Sequence, residues 1–297
     1  MQNLLVIAIF GAIAQLVDGS LGMAYGVTST TLLLSAGIAP AVASATVHLA
    51  EVGTTLASGA SHWKLGNVDW RSVRWMAVPG GVGAFLGAVA LTSISAESAE
   101  PWVAAFLFTL GVYILVRFAL MGGDRTVIAK PIAGRSLASL GLVAGFMDAA
   151  GGGGWGPIGT PTLLASRRME PRKVVGTVDT SEFVVAVCAS LGFLLALGSQ
   201  PIRWSTVGAI LVGGLIAAPL AALLVRRLHP RTLGAAVGGM ILLTNARTLL
   251  GTAGASPQAT VLVFVAIVGL WGLALGYALG TIRGEHLGKT AHEPVSA

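Results

Sequence analysis

Long apolar stretches separated by short polar breaks run along the whole chain. Residues 75–91, 102–116, 183–198, 207–225 and 259–279 each approach or exceed one bilayer crossing, which takes about 20 residues as a helix. Carboxylates interrupt the pattern at Asp18, Glu51, Asp148, Asp179 and Glu182, inside segments that are otherwise apolar. The pattern predicts an all-α polytopic membrane protein. Residues 1–17 are apolar too, but they lack the basic start of a signal peptide. Their pattern also recurs mid-chain, so they are read as part of the mature fold.

That recurrence is an internal repeat. Val17-Asp18-Gly19-Ser20-Leu21-Gly22-Met23-Ala24-Tyr25-Gly26 matches Met147-Asp148-Ala149-Ala150-Gly151-Gly152-Gly153-Gly154-Trp155-Gly156. Ala45-Thr46-Val47-His48-Leu49-Ala50-Glu51 then matches Gly176-Thr177-Val178-Asp179-Thr180-Ser181-Glu182. Val68-Asp69-Trp70 follows with Ile202-Arg203-Trp204, Gly80 with Gly214, and Arg117 with Arg247, at spacings that stay between 130 and 134. Five matches in order make two related halves, 1–120 and 134–250. A cytoplasmic linker, 121–133, joins them; an additional transmembrane helix, 257–282, and a disordered cytoplasmic tail, 283–297, follow.

Composition and charge orient this arrangement. Of 297 residues, 55% are hydrophobic and 10% charged, with mean hydropathy +0.83, against roughly a quarter charged in a soluble domain. The net charge of +6 and pI near 10.1 raise nucleic acid as a partner, but clustering points elsewhere. The basic residues gather at Lys64/Arg71/Arg74, Arg117/Arg125/Lys130/Arg135, Arg167/Arg168/Arg172/Lys173, Arg226/Arg227/Arg231 and Arg283/Lys289. The positive-inside rule places these clusters in the cytoplasm, so no nucleic-acid partner is expected. Arg135 and Arg167 then share one side, and the segment between them enters and leaves on that side. Its counterpart in the first half must begin and end outside. Each half reads as a broken, re-entrant hairpin plus three spans, the halves are inverted, and the N-terminus lies outside with the C-terminus inside. Paired glycine-interrupted segments in inverted repeats are the pattern of secondary transporters. The single cysteine, Cys188, supplies no disulfide or metal framework.

Candidate chemistry sits in the breaks and in the helices after them. Asp18, Gly19 and Gly22 of the first turn, and Asp148, Gly151, Gly152, Gly153 and Gly154 of the second, permit close backbone approach. A half-helix beginning there points unpaired amides at an anion; the plainer reading makes the aspartates helix caps. Tyr25 and Trp155 share a position beside the turns, lining the cavity or simply packing. His48 and Glu51, like Asp179 and Glu182, are three residues apart and share a helix face. Thr46 and Thr177 are candidate donors to substrate oxygens, His48 and Asp179 further substrate contacts, and Glu51 and Glu182 coupling carboxylates near the midplane. No second histidine has ligand spacing, so no metal or other cofactor is expected.

With these residues in place, the chain resembles the TauE/SafE family of sulfite and organosulfonate transporters, also called the toluenesulfonate uptake permease family. The likeness rests on the doubled glycine-rich hairpin, the Ala45-Thr46 and Gly176-Thr177 stretches after it, and the two-half layout. It implies transport of small sulfur-containing or carboxylate anions across a bacterial inner membrane. The first hairpin is poorer in glycine than the second. The expected function is a secondary transporter of small anions, proton-coupled and not an enzyme. A passive anion channel is the alternative, and an intramembrane aspartyl protease another. Its partners are the anion and the bilayer, with homo-oligomerisation left open.

Overall fold

The computed structural model describes residues 3–21, 23–120, 131–198, 202–224 and 230–290, with the backbone alone at 19–21, 171–172, 218–224, 230, 233 and 282–290. All regular elements among these residues are helices. The first five are α1 (Leu4–Leu21), α2 (Tyr25–Ser35), α3 (Pro40–Lys64), α4 (Trp70–Thr92) and α5 (Ala96–Leu120). The next five repeat the order: α6 (Gly134–Gly151), α7 (Trp155–Ser166), α8 (Pro171–Ala196), α9 (Trp204–Leu224) and α10 (Pro230–Thr252). A last helix, α11 (Pro257–Thr290), stands outside the repeat and runs past residue 282, where the expected span ends. Gly22, most of the expected linker (121–130) and residues 291–297 lie outside the described residues.

Matched residues start and stop matched helices. Pro40 and Pro171 open α3 and α8, at the helix position where a missing amide costs nothing. Gly66 and Gly198, at φ 69° and 57°, follow the same two helices at their far ends, the left-handed exit that glycine adopts without strain. The first arms, α1 and α6, have 18 residues each, and the second arms, α2 and α7, have 11 and 12. The second arms are thus about 16–18 Å long, well short of a hydrocarbon core of about 30 Å.

Packing interlocks the halves. The most extensive pairings are α4 with α6 and α1 with α9, followed equally by α5 with α10 and α4 with α8. Under the repeat, the first two are the same contact with the halves exchanged. Equivalent glycines make both: a Cβ on Gly11 would strike the Ile210 carbonyl, and one on Gly141 the Met76 carbonyl. Gly83 and Gly87 of α4 lie equally tight against Leu142 and Phe146 of α6. A Cβ on Gly276 or Gly280 of α11 would meet nothing within 4 Å beyond its own helix among the described residues.

Large apolar side chains cover the outside, among them Trp75, Val78, Val82 and Leu86 on α4 and Val261, Leu262, Leu270 and Leu273 on α11. Four helical stretches among the described residues are long and apolar enough to cross a membrane: Trp70–Thr92, Ala96–Leu120, Lys173–Ala196 and Pro257–Thr281. The 25-residue α3 is also long, but serines, threonines, His48 and Glu51 give it a buried polar face. That face belongs to the interior rather than to lipid.

Candidate functional site

The second turn lies between α6 and α7. Gly152, at φ 75°, and Gly153, at φ 143°, take backbone conformations that a side chain would strain. From the last turn of α6, Asp148 reaches across. Its Oδ1 accepts from the amides of Gly154 at 2.6 Å and Trp155 at 2.9 Å. These are amides that a helix start leaves unpaired, and a carboxylate there also meets the positive end of the helix dipole. In the first half, Asp18 Oδ1 accepts from the Tyr25 amide at 3.2 Å. Both aspartates therefore cap the second arm of their hairpin, so an anion at either turn would share the helix start with a carboxylate. Gly19 lies within the last turn of α1, Gly151 ends α6, and Gly154 precedes the first residue of α7.

The two turns touch. A Cβ on Gly153 would strike the backbone at Gly26 and Val27, and one on Gly156 would sit 3.1 Å from Met23 Cβ. A Cβ on Gly26 would lie 3.1 Å from Gly153 Cα and 3.2 Å from Glu51 Oε1. Glycine on both sides is what lets the turns and the α3 carboxylate meet.

α3 brings a polar stripe to this junction. Ser44, His48, Glu51, Thr55 and Ser58 recur every three or four residues, so they share a face. The Ser44 hydroxyl donates to the Ala149 carbonyl at 2.8 Å, tying α3 to α6. His48 Nδ1 lies 2.8 Å from the Ser44 carbonyl, which can only accept, so Nδ1 carries the proton. Nε2 then faces Asp148 Oδ2 at 3.1 Å and Glu51 Oε2 at 4.0 Å. All three side chains are at most 3% exposed, and neither oxygen of Glu51 has a hydrogen-bond partner.

Beside this cluster lies a cavity of about 10 Å³, room for about one water molecule. Asp18, Tyr25 and Glu51 of the first half and Asp179 and Glu182 of the second line it together. Sequence reasoning missed Ser44 in the cluster, and Gln15, Thr54, Thr55 and Ser58 in the cavity wall. The helical spacing of hydroxyls along α3 is the signal that would have found most of them. Among the described residues no lysine or arginine is buried, so one imidazole faces five carboxylates.

Other expected residues are engaged elsewhere. The Thr46 hydroxyl donates to the Val42 carbonyl of its own helix at 2.7 Å. Thr177 Oγ1 accepts from the Asp69 amide at 2.9 Å, at the start of α4 and away from the cavity. Trp155 is wholly buried, donates Nε1–H to the Val178 carbonyl at 2.9 Å, and rests its ring on Gly80. Tyr25 instead lines the cavity, with its hydroxyl over Gly214, the repeat partner of Gly80.

A helical body with apolar sides outward and a lined, charged interior is the build of a membrane transporter. Known proteins agree with this reading. The family model described as sulfite exporter TauE/SafE matches residues 7–248, and the chain belongs to that family. It is 50% identical over 294 residues to a probable membrane transporter protein, YtnM, of Bacillus subtilis strain 168, covering 98% of this chain and 97% of the relative. A second protein of that organism, the probable membrane transporter protein YunE, is 22% identical over 254 residues, 78% of this chain and 92% of the relative. No solved structure matches. Family and relative alike indicate a transporter rather than an enzyme.

Proposed function

We propose that this transporter carries small anions, sulfite or related sulfur-containing or carboxylate species, across a bacterial inner membrane, in exchange or symport with protons. The observation that carries the reading is the meeting of the two glycine turns beside an acidic cavity to which both halves contribute. An anion cannot approach ionised carboxylates in a low-dielectric interior unless a cation neutralises them. Glu51 and Glu182, at matched positions of the repeat, supply that neutralisation by taking a proton as substrate enters. The short second arms support re-entrant hairpins. The exchange of α4–α6 for α1–α9 supports two halves related by a two-fold axis. The basic clusters along the chain support opposite orientations, with the N-terminus outside and the C-terminus cytoplasmic.

Two measurements test this. In proteoliposomes holding the purified full-length protein, a panel of sulfite, sulfonates and small carboxylates should include at least one anion whose uptake follows an imposed pH gradient. Uptake of none of them, or uptake indifferent to pH, removes the substrate class or the coupling. For topology, cysteines placed at Ser95 and Ser256 should label from outside, and one at Arg167 only from inside. Labelling of positions 95 and 167 from the same face is incompatible with inverted halves.

A further inference from the structure

From the cluster at the junction of the halves, we infer that His48, Glu51 and Asp148 form a binding site for a divalent transition-metal ion of the zinc or manganese kind. One donor atom from each residue lies within 4.8 Å of the others, with Nε2 3.1 Å from Asp148 and 4.0 Å from Glu51. Ligands about 2.1 Å from a shared ion sit at most about 4.2 Å apart, so a small turn of the unbonded Glu51 carboxylate closes the site. The imidazole is oriented as metal-bound histidines are. Its Nδ1–H is held by the Ser44 carbonyl, which turns Nε2 toward the carboxylates, where it donates to Asp148 when protonated and can give up that proton to ligate an ion. Asp148 is oriented too, because the amides of Gly154 and Trp155 hold Oδ1 and leave Oδ2 for the site.

Glu51 gives an independent sign that the cluster receives a cation. Both its oxygens are buried and unbonded, and Oε2 lies 4.0 Å from Nε2. A buried carboxylate in that state is costly, and no buried lysine or arginine among the described residues offsets it. One proton would leave the two carboxylates and the imidazole with a net negative charge. A divalent ion makes the site neutral. The donor set of one imidazole nitrogen with carboxylate oxygens suits zinc, iron or manganese better than the all-oxygen preference of calcium or magnesium. Because His48 and Glu51 come from α3 and Asp148 from α6, a bound ion would pin the first half to the second beside the two turns.

A metal site here goes beyond the transport reading and leaves Glu182 as the proton carrier while Glu51 holds the ion, since a ligating carboxylate is deprotonated. Testing it needs no transport. Full-length protein in detergent, treated with chelator, is titrated with Co²⁺ and followed by visible absorption, with bound metal counted by mass spectrometry and ligands read by X-ray absorption. The expected result is about one ion per chain, with one imidazole and oxygen ligands, displaced by Zn²⁺ and accompanied by a rise in melting temperature. His48→Gln and Glu51→Gln, each checked for a single peak on size exclusion, should bind at least about tenfold more weakly, as loss of even an orienting partner does. Since the wild-type spectrum stands alone, misfolding of a variant does not blur the result. Absence of stoichiometric Co²⁺ in wild type overturns the site. So does unchanged binding in a folded His48→Gln protein, which would move the ion to His62 or another histidine.

Discussion

In the second hairpin, Asp148 holds two amides and the imidazole of His48, whereas in the first, Asp18 holds one amide among the described residues, at 3.2 Å. The second turn meets its left-handed conformations with Gly152 and Gly153; the first forces Ala24 to φ 94°. Trp155 is anchored to α8 and wholly buried, while its partner Tyr25 faces the cavity. One repeat has thus produced a braced turn and a looser one that borders the cavity. Duplication dictates where the parts lie, but the partners each half meets decide how tightly they are held.

The largest expected effect tests the braced turn. Gly153→Val combines a φ of 143° with a Cβ that meets the Gly26–Val27 backbone, so anion transport should vanish while membrane insertion persists. Full transport by that variant would mean the second turn has no part in the pathway. Next come the two aspartates. Asp148→Ala strands a buried imidazole and two amides and should cost about 3–5 kcal/mol, against about 1 kcal/mol for Asp18→Ala, a single cap. Equal losses in melting experiments would erase the contrast between the hairpins.

The carboxylates proposed to carry the proton sharpen the comparison without changing stability so much. Glu182→Gln and Glu51→Gln keep shape but fix the neutral form. Each should still exchange substrate across proteoliposomes yet lose accumulation driven by a pH gradient. If both keep that accumulation, the carboxylates are structural and proton coupling fails. The smallest effect is Ala24→Gly, which relieves a left-handed alanine and should stabilise by about 1 kcal/mol. A destabilisation would show that the first turn is not the strained one.

Much of this was legible in the chain itself. The Asp18 and Asp148 matches located both caps; Gly80 and Gly214 match as partners, but that Trp155 and Tyr25 rest on them is seen only in the fold. What could not be read is any contact that crosses the repeat at another spacing. His48 and Asp148 are 100 residues apart, a separation no periodicity flags, so the cluster stayed hidden and histidine spacing argued against a metal. Hydroxyls misled in the opposite sense. Thr46 and Thr177 look free in sequence, but backbone groups that need partners in a dry interior claim them first.

The exchange of partners between halves also sets a timetable for biosynthesis. Among the described residues, Gly11 of α1 finds its close cover at Ile210 of α9, whose first residue, Trp204, is 200 positions after Leu4. At ribosomal speeds of about 5–20 residues per second, α1 waits roughly 10–40 s in the membrane with Gly11 facing lipid. α4 waits far less for α6. The nascent chain is therefore most exposed to misassembly between the release of its first hairpin and the arrival of α9.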